Sequence, residues 1–240
     1  MLQKTKAIVL KTIKYSDNSV IATVYSQSSG KIPIIIKSIH TKKSKTKINY
    51  LQPFFIIDIE LYYKETRNIQ KAKEIKPNYK FKTLPFDIIK SSIAIFLSEV
   101  LNKSIKEQEQ NQQLYDFIEK SIEFIDISKN NISNFHLIFL IHLTKYLGFF
   151  PTNNFSDKNP FFDLENAIFI DYKNNSNHLN INESKIISNF LSSNFNNYIN
   201  IKISKPDKNK TLQNILKLYK NQIPEFGKIK SLEIMQSVFN

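Results

Sequence analysis

The sequence predicts an α+β chain: a small closed β-barrel over residues 1–80, then an all-α helical bundle over 81–240 that carries a small β-hairpin insertion at about 151–182. Three observations support this reading. Apolar residues recur every second position as far as Lys76, the period changes to about 3.6 after Pro85, and the helical pattern breaks once, between Pro151 and Asn182.

Thr5 to Tyr15 and Ser19 to Tyr25 are rich in β-branched residues and are separated by Ser16, Asp17 and Asn18, which makes a hairpin. Gln27 to Gly30 forms the next turn, with Gly30 at positive φ. From Lys31 to Ile39, Ile32, Ile34 and Ile36 share one strand face, while Lys31, Ile35 and Lys37 share the other. One face feeds a core and the other is left for a partner. Pro53 opens a strand in which Phe55, Ile57, Ile59, Leu61 and Tyr63 lie opposite Asp58 and Glu60, and Ile69 to Lys76 forms a last strand with Lys71 and Lys73 on one side. Five short antiparallel strands fit a small barrel, either an OB-fold or an SH3-like barrel.

Pro77 and Pro85 bracket a linker. Beyond it, Ile89, Ile93, Phe96, Leu97 and Val100 make one helical stripe, and Leu114, Phe117, Ile118, Ile122 and Ile125 a second. From Ser133 to Phe149 apolar residues surround the whole axis, as in a helix buried within a bundle, and Gly148 with Pro151 ends it. FFDLENAIFIDY reads as a hairpin turning near Glu165 and Asn166. Helical spacing resumes with Ile186, Ile187, Phe190 and Leu191, and again with Leu212, Ile215, Leu216 and Tyr219. Ser231 is expected to cap a short terminal helix with Glu233 in its first turn.

Charge is distributed unevenly. The formal net charge is +13, and residues 1–78 hold 15 Lys+Arg against 5 Asp+Glu, so the first third carries +10 and the rest of the chain only +3. Such an asymmetry is the electrostatic footprint of nucleic-acid binding, although an anionic membrane or an acidic partner would also suit it. The densest run, Lys42, Lys43, Lys45 and Lys47, has no apolar residue before Ile48, so these amines are solvated or bound to an anion. Heavy use of Asn, Lys and Ile also reflects an A/T-biased coding sequence.

The hydrophobic content, 41%, is enough for a sizeable core. The absence of cysteine excludes disulfides, thiolate metal sites and a cysteine nucleophile. The apolar run Ala7 to Leu10 is only four residues long before Lys11 interrupts it, too short for a signal peptide, and the longest apolar region is shorter than the ~20 residues of a membrane span. These point to the cytoplasm. The three glycines, at 30, 148 and 227, exclude a P-loop and a dinucleotide fingerprint. His136 and His142 are six apart, which turns them to different faces of a helix, so they read as structural, and no metal or cofactor is expected. Asp58 and Glu60 read as surface charges. His40 borders the lysine run. Of Tyr15, Tyr25, Tyr50, Tyr62 and Tyr63, Tyr15 beside Lys14 is the first choice as a stacking platform for a base.

AIVLKTIKYSDNSVIATVYSQSSGKIPIIIKSIHTKKSK, LQPF at 51–54, YLGFFP at 146–151, FFDLENAIF at 161–169 and the terminal IKSLEIMQSVF together resemble the RecO family of bacterial recombination mediators, in order and nearly end to end. The resemblance implies an N-terminal OB-fold, a helical C-terminal domain, binding of single- and double-stranded DNA, and annealing of complementary strands. It also implies work with RecR and with single-strand-binding protein, whose acidic C-terminal tail would dock on the helical domain, to load the recombinase RecA at the nucleoid. Some family members hold a four-cysteine zinc site after the YLGFFP-like segment; this chain has Asn153 and Asn154 there, so no zinc is expected. Asp17 stands where a glutamate is more usual. The DNA-binding set expected is Lys11, Lys14, Tyr15, Lys31, Lys37, His40, Lys42, Lys43, Lys45, Lys47, Lys71 and Lys73, with no catalytic residue. An adaptor for protein partners with a compositional basic surface is the alternative, and a nucleic-acid-processing enzyme a third.

Overall fold

Alternating apolar residues in the first third close into a five-stranded barrel: β1 (Leu2–Ser16), β2 (Ser19–Ser26), β3 (Gly30–Lys37), β4 (Ile56–Tyr62) and β5 (Gln70–Pro77). The computed structural model describes residues 1–37, 39, 46–129, 132–171 and 177–238. The strand order is β1-β2-β3-β5-β4, with β4 pairing back onto β1. Every pairing is antiparallel except β3 with β5, which run parallel. This connectivity is that of an OB-fold and removes the SH3-like alternative.

Val9, Val20, Ala22, Val24, Ile32, Ile34, Ile36, Ile57, Ile59, Leu61 and Ile75 fill the barrel. A register shift between Val9 and Lys11 bends the long β1, so one strand serves both β2 and β4. In β5, Ala72 and Ile75 both contribute to the interior although three residues apart, which the bulge opposite Glu60/Leu61 permits. Pro53 does not open a strand. Phe54, at φ 72°, turns the chain there, donating its N–H to Val9 O at 2.7 Å, while Val9 N donates to Phe55 O at 2.9 Å, and β4 starts only at Ile56.

The barrel belongs to a compact unit, Met1–Ile127 with Ile229–Val238; the second unit is Ser128–Lys228. Residue 80, where the sequence changes period, lies inside the first unit, which also contains α1 (Ile88–Ser104), α2 (Gln112–Ile127) and α6 (Leu232–Val238). Asp87 caps α1, its carboxylate accepting from Ile89 N and Lys90 N. The segment expected as a linker is tied down. Buried Asp126 at the end of α2 accepts the backbone N–H groups of Lys82, Thr83 and Leu84 and the Tyr79 hydroxyl. Burial works against this charge, yet the four donors outweigh it and hold the carboxyl below its ordinary range.

Gly30 has φ 60°, as the turn requires, and meets a second constraint: a Cβ there would lie 2.3 Å from Glu109 O. Ser231 immediately precedes α6, whose first turn holds Glu233 as expected, and its hydroxyl reaches outside the helix. It donates to Glu99 Oε2 at 2.6 Å, and the same carboxylate accepts Lys230 N and Ser231 N, so α6 is moored to α1.

In the second unit, α3 (Phe135–Tyr146) is buried nearly all round. His136 within it is fully enclosed, and burial, reinforced by the charge of Lys208, pushes its pKa down to about 3, so it is neutral at physiological pH. His142 bonds Ser193 O through Nε2 at 2.8 Å. Both histidines serve the core. Strands β6 (Phe161–Asp163) and β7 (Ile168–Ile170) form the hairpin, whose turn is held by the Asp163 carboxylate accepting Glu165 N and Asn166 N. Helices α4 (Ile181–Leu191), opened by an Asn180/Glu183 capping box, and α5 (Lys205–Gln222) complete it. Gly148, at φ 83°, follows the end of α3. Among the described residues no helix is long and apolar enough to cross a membrane, and no group of three or more His, Asp or Glu side chains could hold a metal ion.

Candidate nucleic-acid interface

Strand register determines which residues share the outer face of the barrel. Ile13 pairs with Ile21, Ile21 with Ile35, Ile35 with Lys71 and Lys71 with Tyr62, so one row crosses all five strands. Directly paired residues point to the same side of a sheet. Their partial exposure, with Tyr62 at 44%, shows that this side faces outward. The row is apolar at one end, with an amine and a ring at the other. The Lys71 Nζ lies 5.7 Å from the Tyr62 ring centre, a cation–π arrangement.

The residues singled out by sequence distribute around this row. Lys37, exposed at the end of β3, pairs with Ser19, which in turn pairs with Ser16, next to Tyr15. Tyr15 is 64% exposed. Lys14 beside it bonds the Asp17 carboxylate at 3.0 Å, but both groups are so exposed that the pair restrains the amine little. Lys47 is exposed as well. Thus Tyr15, Lys37 and Lys71 accompany the outer row, whereas Lys14, though exposed, pairs with the core-facing Val20. His40, Lys42, Lys43 and Lys45 lie outside the described residues; the neighbouring Ile39 and Thr46 are both buried.

Three lysines are used elsewhere. Lys31 does not project to a partner: its Nζ donates to Ile105 O at 2.8 Å and to Asn102 O, satisfying carbonyls at the C-terminal end of α1. Burial, with a lesser push from Lys106, lowers this amine to about 8. Lys73 occupies the β5 bulge and bonds Glu60 Oε2 at 3.2 Å. Lys11 is exposed but lines a different feature, a cleft of about 600 Å³ built by β1, α1 and α6. Ile95 and Ile234 supply apolar surface there, Lys11, Lys103 and Lys230 supply amines, and the Glu99 carboxylate among them is taken up by Lys230 N and Ser231.

Sequence reasoning missed the β4–β5 loop. Gln70 is buried and its side chain bonds only loop backbone: Oε1 accepts Lys64 N at 2.9 Å, while Nε2 donates to Lys64 O at 2.9 Å and to Arg67 O at 2.8 Å. A buried glutamine has no signature in strand alternation; the signal available was the single arginine of the chain, Arg67.

The family model described as Recombination protein O N terminal matches residues 1–81, the barrel, and that described as Recombination protein O C terminal matches residues 85–233. The chain belongs to the RecO family. Among its RecO relatives, each named DNA repair protein RecO, that of Azobacteroides pseudotrichonymphae is 34% identical over 241 residues and that of Phocaeicola vulgatus 33% over 241, covering the whole of both chains in each case. That of Flavobacterium psychrophilum is 34% identical over 238 residues, 99% of each chain. Membership of RecO makes this a DNA repair protein, and the OB-fold is the RecO N-terminal domain.

Proposed function

We propose that this RecO-family chain is a non-catalytic recombination mediator of the bacterial cytoplasm that binds single- and double-stranded DNA at the nucleoid, anneals complementary strands and, with RecR, helps load RecA onto strands coated by single-strand-binding protein. The observation that carries the reading is the outer face of the barrel, where the exposed Lys37 and Lys71 accompany the exposed rings of Tyr15 and Tyr62. Amines that neutralise phosphates release counterions and give affinity without regard to sequence, while rings stack bases. Base pairing is downhill once phosphate repulsion is screened, so annealing needs no nucleotide hydrolysis. The test is the rate of duplex formation from two complementary oligonucleotides in chelator without nucleotide, against protein-free and polylysine controls. A rate above both supports the mechanism; a rate no faster than the protein-free control removes annealing, and one matched by polylysine at equal charge removes any part for the barrel's geometry.

The cleft beside α1 and α6 favours a second contact within the same role. Apolar Ile95 and Ile234, with Lys11, Lys103 and Lys230, suit an acidic peptide with an apolar end, the chemistry of the single-strand-binding protein tail. Calorimetry of that peptide against the full chain should show binding that Lys103→Glu with Lys230→Glu abolishes. Undiminished binding by the folded double variant would put the tail elsewhere.

A further inference from the structure

Of the 34 cationic side chains of Lys+Arg, 33 are lysine and Arg67 alone is arginine. The two types carry equal charge but recognise differently. A guanidinium is planar, offers a phosphate two parallel N–H donors and lies flat on rings, whereas an ammonium is a compact, strongly hydrated point charge. In a chain where lysine fills every other cationic position, the site that holds arginine is where that difference has the most to act on.

Arg67 lies in the β4–β5 loop, whose backbone is unusually well held for an exposed connection. Gln70 bonds it at three points, and Arg67 N donates to Lys64 O at 3.0 Å. The Arg67 side chain itself is exposed and makes no ion pair among the described residues. The loop joins β4 to β5 beside the register partners Tyr62 and Lys71, the ring and amine that end the outer row. Exposed Glu65 offsets one charge, leaving Lys64, Glu65, Arg67 and Lys71 with a net +2.

We propose that Arg67, Tyr62 and Lys71 form one nucleotide-sized clamp for single-stranded nucleic acid: Arg67 forks a backbone phosphate, and the Tyr62 ring, backed by the Lys71 amine, stacks a base. The clamp rests on the reading of the barrel as the nucleic-acid face and names the residues that act there. Holding the loop through Gln70 reduces the order that binding must create, so the fork is presented ready-made.

The experiment is fluorescence anisotropy of a labelled oligo-dT strand with the full chain at several salt concentrations. Arg67→Lys retains the charge, so the slope of log K against log salt stays unchanged while affinity falls about five-fold at every salt concentration. Tyr62→Leu lowers affinity on the order of ten-fold, and Tyr62→Phe, which keeps the ring, restores it. Circular dichroism and thermal melting confirm that each variant is folded. Folded variants that bind as tightly as the unaltered chain overturn the clamp and leave strand binding standing, and a loss in only one of Arg67→Lys and Tyr62→Leu overturns it as a unit. An unaltered chain that does not bind oligo-dT removes the clamp and the proposed function together.

Discussion

The barrel and the two helices that follow it lie in the same compact unit but have opposite charge. Residues 1–78 carry +10, whereas residues 79–127, which contain α1 and α2, hold 6 Lys against 8 Asp+Glu, a net of −2. The helical side uses its acids locally: Asp126 gathers the 79–84 segment, Glu99 moors α6, and Glu119 meets Lys6 of β1 at 3.3 Å. On the barrel, Lys6, Lys14, Lys73 and Lys76 meet carboxylates and Lys31 meets the end of α1, while Lys37, Lys47 and Lys71 make no ion pair among the described residues. A net charge over the whole chain therefore understates the density of positive charge in its first 78 residues.

The comparison breaks most severely at Gly30. In Gly30→Ala a Cβ at positive φ would overlap Glu109 O on the helical side. The expected loss is roughly 3 kcal/mol, the sum of left-handed strain and overpacking, read as a fall in Tm. A Tm within a degree or two of the parent would mean that the 107–109 segment yields easily.

Asp126→Asn tests the helical side alone. The carboxylate serves three N–H groups and a hydroxyl. Losing its charge should cost about 2 kcal/mol at neutral pH. The sign with pH follows from the lowered native value: Asp126 stabilises fully above its unfolded pKa near 3.8, and this contribution is lost as pH falls through the lower native value. Denaturant titrations should accordingly show the gap between parent and variant closing in acid. A gap that stays constant far into acid would assign the loss to geometry instead of charge.

On the barrel side, replacing Lys42, Lys43, Lys45 and Lys47 together by alanine should leave Tm unaltered and lower the salt slope of single-strand binding by up to ~0.7 for each phosphate no longer neutralised. An unaltered slope would return the run to a solvated loop. The smallest effect belongs to the pair that joins the two sides. Lys6 is 42% exposed in its ion pair with Glu119. A double-mutant cycle should give a coupling below about 1 kcal/mol. A larger value would mean that electrostatics, more than packing, attaches α2 to the barrel.

The barrel was largely legible because β-branched alternation reports directly which residues face a core, and Ile32, Ile34, Ile36, Ile57, Ile59 and Leu61 all do. What escaped depends on partners distant in sequence. Lys31 alternates outward in the strand, as read, yet outward there means the end of α1, and no local pattern contains α1. The Pro77–Pro85 segment has a linker's composition but is bound by an acid more than forty residues away. Ser231 has the residue type of a cap, and Glu99 takes its hydroxyl. Of the outer row, Lys71 was found through its charge, while the rest required the register of all five strands.

The parallel seam between β3 and β5 has a kinetic consequence. Its two register pairs, Ile34 with Gln70 and Ile35 with Lys71, join segments separated by all of β4 and the chain before it. A hairpin such as β1–β2 closes a short loop, but this contact must wait for a long one, and the entropy of closure is lost before any hydrogen bond offsets it. The barrel should therefore zip up from its hairpins and seal last along β3–β5. In pulse-labelling exchange during refolding, the amides of that seam should gain protection after those of β1–β2, so the strand that carries Lys71 acquires its place opposite Ile35 only in the final step of folding.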